Sequence, residues 1–506
     1  MQTEFHKKYT DAISGTISCF DRMIISGSLI RWNCPFSMTA FMIQERIHFT
    51  SFPQYAKQIS QKIKDHIEGI SSTEGIPVYY IRKPRSFNKE KAVEDYISEN
   101  GRREGIVKIF SSMEVCDGYD YRWDYQSQKG SIISKTSKCI HYYIYFIDKY
   151  LGLCFMRIPT WIPCRVEVYF NGHNLLAGKF RKNHIEYKTH DNVFTYISDY
   201  QKGQEISDDL RAKDLHNWLD VFALRYIPFL KETQQSFNWT IAQAEYSTDI
   251  IFKKPEDLRL LYQELILRAI HTVKPDNIAT FFNRALAAHF SGEVTTKYNN
   301  KIQGTRVKHS IGANSVKMYD KAPGILRIET TINKVTDFKV FREVKDRNGH
   351  ITKKFAAMKK SIYSLYPLSK ESLAVNSRYL DFLASFDDNS AGKKDLNKVT
   401  ATLRDEKRSY RGFNFFDSND EEVLLVLNSG EFVINGLRNK HLRAKLCRKL
   451  SAASVSRILM RLYIHGLIKK VRNTYKYYIT KFGRRVIQAA LATREFSLVP
   501  ILAKSA

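Results

Sequence analysis

With 506 residues the chain has room for about three domains, and a hydrophobic fraction of 43% with a mean hydropathy of -0.38 excludes both a disordered and a membrane-embedded class. Its 80 Lys and Arg against 52 Asp and Glu leave a formal charge of +28 and a pI near 9.6. Such a charge repels itself unless a polyanion neutralises it, so nucleic acid is the expected partner; a membrane partner is not expected, since no basic amphipathic anchor stands out.

No apolar signal region opens the N-terminus, MQTEFHKKYTDAISG, and no apolar run reaches the ~18 residues that span a bilayer, so a cytoplasmic, nucleoid-associated protein is expected. None of the seven Cys is spaced CxxC; Cys139, Cys154 and Cys164 sit in apolar runs and read as buried free thiols.

Residues 14–30, SGTISCFDRMIISGSLI, flank Asp21-Arg22 with β-branched and aromatic residues and predict a β-hairpin. Helices are predicted over Thr39–Phe49 and over Phe52–Ile70, where Tyr55, Ile59, Ile63 and Ile67 form one apolar face. A short strand, Ile76–Ile81, and a charged helix, Lys89–Glu99, come next. Cys139–Phe170 is the strongest β signal, a hairpin plus a third strand ending at an Asn171-Gly172 turn, and Asp208–Lys231 reads as helix.

Trp239–Phe252 predicts a strand, Pro255 opens a helix over Glu256–Val273, and Pro275–Phe290 is a further helix. Thr305–His309, Ser315–Tyr319 and Ile325–Ile332 predict three strands. Ser369–Phe386 and Asp395–Tyr410 read as helices around a flexible joint, Asp387–Gly392. Ser418-Asn419-Asp420-Glu421 predicts a capping box before the apolar run Val423–Leu427; Phe432-Val433-Ile434 is a short strand; Asn439 caps a helix to Leu450. Ser451 caps another with Val455, Ile458, Leu459 and Leu462 as its buried stripe. Gly466 closes that helix, and Leu467–Arg472 and Tyr475–Thr480 form a hairpin.

The whole predicts an α+β fold: an N-terminal α+β domain over 1–235, a central β/α domain over 236–385, a helical connector over 386–416 and a winged helix-turn-helix over 417–496. In the last, Ser454, Ser456, Arg457 and Arg461 fall on the outward face of the recognition helix, and Lys469, Lys470, Arg472 and Lys476 decorate the wing, an arrangement suited to double-stranded DNA. The string VSRILMRLYIHGLIKKVRNTYKYYITKFGRRV, Val455–Val486, resembles the MarR and related bacterial winged-helix families, which implies the same fold and DNA as ligand.

For chemistry, Tyr319, Asp320 and Glu329 on neighbouring strands, with Asp249 on the preceding one, are the candidate catalytic set. Asp249, Asp320 and Glu329 would hold Mg²⁺ or Mn²⁺, and Tyr319 would attack a phosphate, Tyr298 being the alternative nucleophile. The bland reading is a cross-strand salt bridge, Asp320 to Arg327 or Lys321 to Glu329. Tyr319-Asp320-Lys321 followed by Arg327-Ile328-Glu329 resembles strands of rolling-circle replication initiators, which implies a tyrosine DNA nickase of a mobile element; the His-hydrophobic-His metal motif is missing. An RNase H-like cluster of Asp21, Glu114, Asp148 and Glu167 is a further option, and His141 and His173 read as core or turn residues.

Taken whole, the chain resembles a group of bacterial proteins sharing the segments Phe20–Leu29, Asn171–His173, Ala244–Asp249 and Gly292–Asn333 and the C-terminal winged helix, a likeness that implies architecture. The rival functions are a transcriptional regulator and a protein binding structured RNA or single-stranded DNA.

Overall fold

The computed structural model describes residues 3–126, 128–284, 292–301, 304–346, 348–385, 395, 397–405, 408–415, 417–428, 436–472 and 474–493. It is an α+β protein of two compact units, Met1–Ser385 and Phe386–Ala506. Among the described residues no helix is long and apolar enough to cross a membrane.

The first unit begins with α1 (Glu4–Lys8), β1 (Ile13–Leu29), α2 (Pro35–Gln44), α3 (Phe52–Glu74), β2 (Val78–Tyr80) and α4 (Lys89–Asn100). β3 (Gly105–Asp124), β4 (Lys129–Asp148), β5 (Gly152–Pro159) and β6 (Val166–Asn171) form a meander, and α5 (Gly172–Lys182), β7 (Tyr187–His190), β8 (Val193–Ile197), α6 (Tyr200–Asp208), α7 (Ala212–Tyr226) and α8 (Leu230–Thr233) follow. The remainder is β9 (Phe237–Phe252), α9 (Pro255–His271), α10 (Pro275–Phe281), β10 (Val294–Lys301), β11 (Gly304–Ile311), β12 (Asn314–Ala322), β13 (Ile325–Ile332), β14 (Lys339–Lys345), β15 (Ile351–Ala357) and α11 (Leu365–Ala384).

Eleven of these strands make one sheet in the order β10-β11-β12-β13-β9-β1-β6-β5-β4-β3-β2. The pairs are antiparallel except β2 with β3. β9 pairs with β1 from Ile13↔Phe252 to Leu29↔Phe237, so the sheet runs straight through the expected domain boundary at 235/236. The sequence has two β/α halves; physically each supplies half a sheet whose open edge the other satisfies.

β1 is one 17-residue strand, and the hairpin expected at 14–30 does not form. Its turn-like Asp21-Arg22 is instead a β-bulge: Phe20 pairs with Tyr246 and Met23 with Ala244, leaving two residues opposite Glu245. The bulge re-aims Asp21 without ending the strand.

The two faces of the sheet differ. α11 packs on one through Asn376, whose Nδ2 donates to the carbonyls of Tyr246 (3.2 Å) and Ile328 (3.3 Å) while its Oδ1 accepts from Thr330 (2.6 Å). Met318, Ile328 and Ile250 join the main apolar core there. A smaller core on the other face joins Ile17 and Cys19 of β1 to Leu176 and Phe180 of α5 and Phe194 of β8. Cys139, Cys154 and Cys164 are buried free thiols, as expected.

The second unit holds β16 (Leu403–Asp405), β17 (Arg408–Tyr410), α12 (Ser418–Leu427), α13 (Asn439–Lys445), α14 (Ala452–Ile464), β18 (Ile468–Lys470), β19 (Tyr477–Ile479) and α15 (Lys481–Thr493). The helix expected over Asp395–Tyr410 is replaced in its second half by the β16–β17 hairpin. The expected joint Asp387–Gly392 and strand Phe432–Ile434 lie outside the described residues, but Leu437 bridges Tyr477 beside the β18–β19 pair.

α12 is capped by Asp417, which accepts from the Asn419 and Asp420 amides, rather than by Ser418. α14 is capped by Ser451, buries Val455, Leu459 and Leu462, and ends at Gly466 in the left-handed region (φ 72°). α13 ends at Lys445, short of Leu450, and Asn439 is its first residue rather than its cap.

Candidate functional site: a buried charge cluster

A buried polar cluster forms where β12, β13, β9 and β1 lie side by side. Cross-strand register sets two rows. Tyr319, Arg327, Asp249 and Ile17 are one; Lys317, Glu329, Ser247 and Cys19 are the next. Side chains two apart on a strand share a face, so all of these point the same way, and Glu245 and the bulged Asp21 join them.

Arg327, fully buried, donates from Nε to Asp249 Oδ1 (2.6 Å), from Nη2 to Asp249 Oδ2 (2.7 Å) and to the Asn192 carbonyl (2.9 Å), and from Nη1 to Asp21 Oδ2 (2.9 Å). Asn171 caps α5 by accepting from the His173 amide (2.8 Å), and its Nδ2 donates to Asp21 Oδ1 (2.6 Å). His173 lies between the acids, Nδ1 3.2 Å from Asp21 and Nε2 3.3 Å from Asp249.

Burial alone would raise the carboxyls of Asp21 and Asp249, but His173 and Arg327 hold both below the usual carboxylate range. Burial would likewise lower His173, yet the Cys19 sulfur and the two carboxylates hold its pKa well above the ordinary value.

Beside this network Lys317 Nζ bridges Glu245 Oε1 (2.9 Å) and Glu329 Oε1 (2.6 Å), and the Tyr319 hydroxyl donates to Glu329 Oε2 (2.6 Å). Burial, then the Glu329 charge, raises both the Glu245 carboxyl and the Tyr319 phenol; Lys317 is raised against burial by Glu329 and Glu245. One ligating oxygen each from Asp21, Glu245 and Glu329 lies within 4.8 Å of the other two. These are hard oxygen donors, the set that Mg²⁺ or Mn²⁺ takes. Four carboxylates (Asp21, Glu245, Asp249, Glu329) here meet three basic side chains (His173, Lys317, Arg327).

Of the expected set Asp249, Tyr319, Asp320 and Glu329, only Tyr319 and Glu329 are placed with the ligating triad. Asp249 lies outside that triad, with both of its oxygens engaged by Arg327. Asp320 projects to the opposite face by alternation, within electrostatic reach of Tyr262 on α9, and burial raises its carboxyl. Tyr298 pairs with Val307, which pairs with Met318, so the alternative nucleophile is on that opposite face too. Neither expected salt bridge forms, because Lys321 pairs with Asp191 (3.1 Å) and Arg327 with Asp249 and Asp21.

Asp21 and Glu245 are the members of the carboxylate triad outside the expected set. The expected grouping of Asp21 with Glu114, Asp148 and Glu167 is one the fold does not make. Glu114 and Glu167 both pair with Arg157 at 3.2 Å, and Asp148 accepts from the amides of the Tyr150–Leu151 turn.

In the second unit Arg457, Lys469, Lys470 and Arg472 are exposed and Lys476 is half-buried; among the described residues none is in an ion pair. Lys470 and Lys476 lie over the rings of Tyr475 and Tyr478. Ser456 is exposed and accepts from Asn439 Nδ2 (2.8 Å), while the half-buried Ser454 serves the α14 cap. Arg461 is a correction: it turns inward, Nη1 and Nη2 2.7 and 2.8 Å from the Asp420 oxygens, and donates to the Arg411 and Gly412 carbonyls.

Comparison with protein-family models, with curated proteins and with solved structures returns no match to this chain.

Proposed function

We propose that the chain is a DNA-binding protein whose body carries a metal-dependent phosphoryl-transfer centre at Asp21, Glu245 and Glu329. The observation that carries this reading is the convergence of three ligating carboxylates on adjacent strands, one of them hydrogen-bonded to a tyrosine hydroxyl, in a chain of charge +28. A buried cluster that keeps one carboxylate in excess is suited to a divalent cation, which would polarise a phosphate oxygen there.

Tyr319 is the nucleophile in this reading and Glu329 its base, since donor and acceptor already stand 2.6 Å apart. A P–O bond forms to the phenolic oxygen as the P–O bond to the leaving sugar oxygen breaks. The Tyr319 proton passes to Glu329, and the leaving oxygen takes a proton from water. Lys317, held between Glu245 and Glu329, offsets charge on the phosphate, while Arg327 and His173 keep Asp21 ionised and oriented.

The second unit supplies duplex affinity in this reading. The helix pair α13–α14 followed by the β18–β19 hairpin has the order of a winged helix, with Arg457 toward base edges and Lys469, Lys470, Arg472 and Lys476 toward phosphates. Supercoiled and single-stranded DNA incubated with the full chain and Mn²⁺ test the centre. Nicking with a covalent protein–DNA adduct, lost in Glu329→Gln and with the adduct lost in Tyr319→Phe, is the expected result. Wild-type protein that neither nicks nor shifts its melting temperature with Mn²⁺ would overturn it.

A further inference from the structure

The face bearing the carboxylates continues outward over β12, β11 and the edge strand β10. Lys297 is directly opposite Lys308, and Lys308 directly opposite Lys317. The adjoining rows are Asn299–Arg306–Tyr319 and Thr295–Ser310–Ser315. Every residue of this grid is cationic or a neutral hydrogen-bonding group, and neither β10 nor β11 contains an acidic residue. Like charges directly opposite across strands destabilise a sheet. Here three lysines stand in line, and only the innermost, Lys317, has an acidic partner among the described residues. Burial lowers the Lys308 pKa, and Lys317, Arg306 and Lys297 lower it further, against Glu245, which raises it.

Lys297 is exposed and Lys308 and Lys317 are half-buried, while Ser315 of the adjoining row is 2% exposed. The Ser315 hydroxyl has no hydrogen-bond partner there, although it shares the face of Lys317 and is opposite Thr331 of β13. The lysine row disfavours the free protein and would be relieved by an anion with acceptor oxygens.

We propose that the face of β10–β12 is a track for the phosphodiester backbone of a nucleic-acid strand, leading that strand from the sheet edge to the Asp21–Glu245–Glu329 carboxylates. Adjacent strands are about 4.8 Å apart, so Lys297 and Lys308 offer contacts to successive phosphates of a single backbone, with the paired Lys317 beyond them at the carboxylates. The track depends on the reading of those carboxylates as a phosphoryl-transfer centre for its purpose, though not for its affinity.

The test is anisotropy of a labelled single-stranded 20-mer DNA with the full chain in EDTA, over a range of salt concentrations. Each phosphate contact to a single strand contributes about 0.7 to the slope of log K against log salt. Lys297→Gln and Lys308→Gln should each reduce that slope by about 0.7, and the double variant by about 1.4. Lys308→Gln should also melt no lower than wild type, since it removes repulsion. Unchanged slopes in the double variant would overturn the track, as would lost affinity accompanied by a lower melting temperature in both single variants. Reduced slopes with a wild-type protein inert in Mn²⁺ would leave the track standing and remove the chemistry; turnover with unchanged slopes would do the reverse.

Discussion

Arg327 grips Asp249 with two parallel hydrogen bonds, 2.6 Å from Nε and 2.7 Å from Nη2, and neither side chain is exposed. Removing one partner of such a pair strands a charge in the interior, which costs about 3–5 kcal/mol. Arg327→Met should therefore lower stability by about that amount in urea unfolding, while Arg327→Met with Asp249→Leu should recover much of it. A single variant as stable as wild type would show the pair to be dispensable.

The same cluster sets a pH dependence. Asp21 and Asp249 have depressed pKa values, so the stability they contribute is present above the unfolded carboxyl value of about 3.9 and is lost as pH falls below it. His173 has a raised pKa, so its contribution is complete below about 6.5 and is lost as pH rises through the higher folded value. Stability from this cluster should be greatest between about pH 4 and 6.5. His173→Gln should remove the alkaline decline and keep the acid one; an unchanged alkaline limb would place that decline elsewhere.

Gly172 begins α5 against the carbonyl of Phe20, and a Cβ built there would come within 2.0 Å of that oxygen. Backbone cannot yield as a side-chain end can. Gly172→Ala should therefore displace the start of α5, taking Asn171 and His173 from Asp21, and lower the melting temperature by several degrees, since about 1 kcal/mol shifts a domain this large by roughly 2–4 °C. An unchanged melt would mean that α5 can shift freely.

How far the site could be read from sequence follows from the same residues. A period of two puts Lys317, Tyr319 and Lys321 on one face of KMYDK and Arg327 with Glu329 on one face of RIET, and the register sets Lys317 opposite Glu329 and Tyr319 opposite Arg327. Asp21 was hidden because a bulge and a hairpin turn look alike when β-branched runs flank a polar pair; only the partner strand distinguishes them. Glu245 was hidden because its strand neighbour Asp249 looked equally suitable, and only register shows that Arg327 is opposite Asp249. β10 was missed because its polar run VTTKYNNK lacks the apolar alternation that marks a half-buried strand.

The second unit requires a longer segment than its helices suggest. Val399 and Phe413 belong to its core, the Phe413 amide donates to the Val399 carbonyl (2.9 Å), and the His465 ring nitrogens contact the carbonyls of Lys398 (3.4 Å) and Arg411 (3.1 Å). A fragment of residues 394–496 should melt cooperatively, whereas one of 412–496 should melt lower and more broadly, having lost a buried valine and the partners of His465. Equal melts would show residues 394–411 to be an appendage.

Arg461 and Lys470 separate structure from binding within that unit. Arg461 is 12% exposed, ion-paired to a buried Asp420, and lies 3.9 Å from the Phe413 ring centroid. Arg461→Ala leaves that carboxylate without its main partner, so it should cost about 3–5 kcal/mol of unit stability. Lys470 is exposed on the hairpin, so Lys470→Ala should leave the melt unchanged and reduce the salt slope of duplex binding by about 0.9, the loss of one phosphate contact. Arg457→Ala, on the exposed face of α14, should leave the melt unchanged and alter sequence preference, because a guanidinium there can pair with guanine. Binding by both Lys470→Ala and Arg457→Ala that matches wild type at every salt concentration would remove the hairpin and α14 from the DNA interface. A stable Arg461→Ala protein with weakened binding would return Arg461 to it.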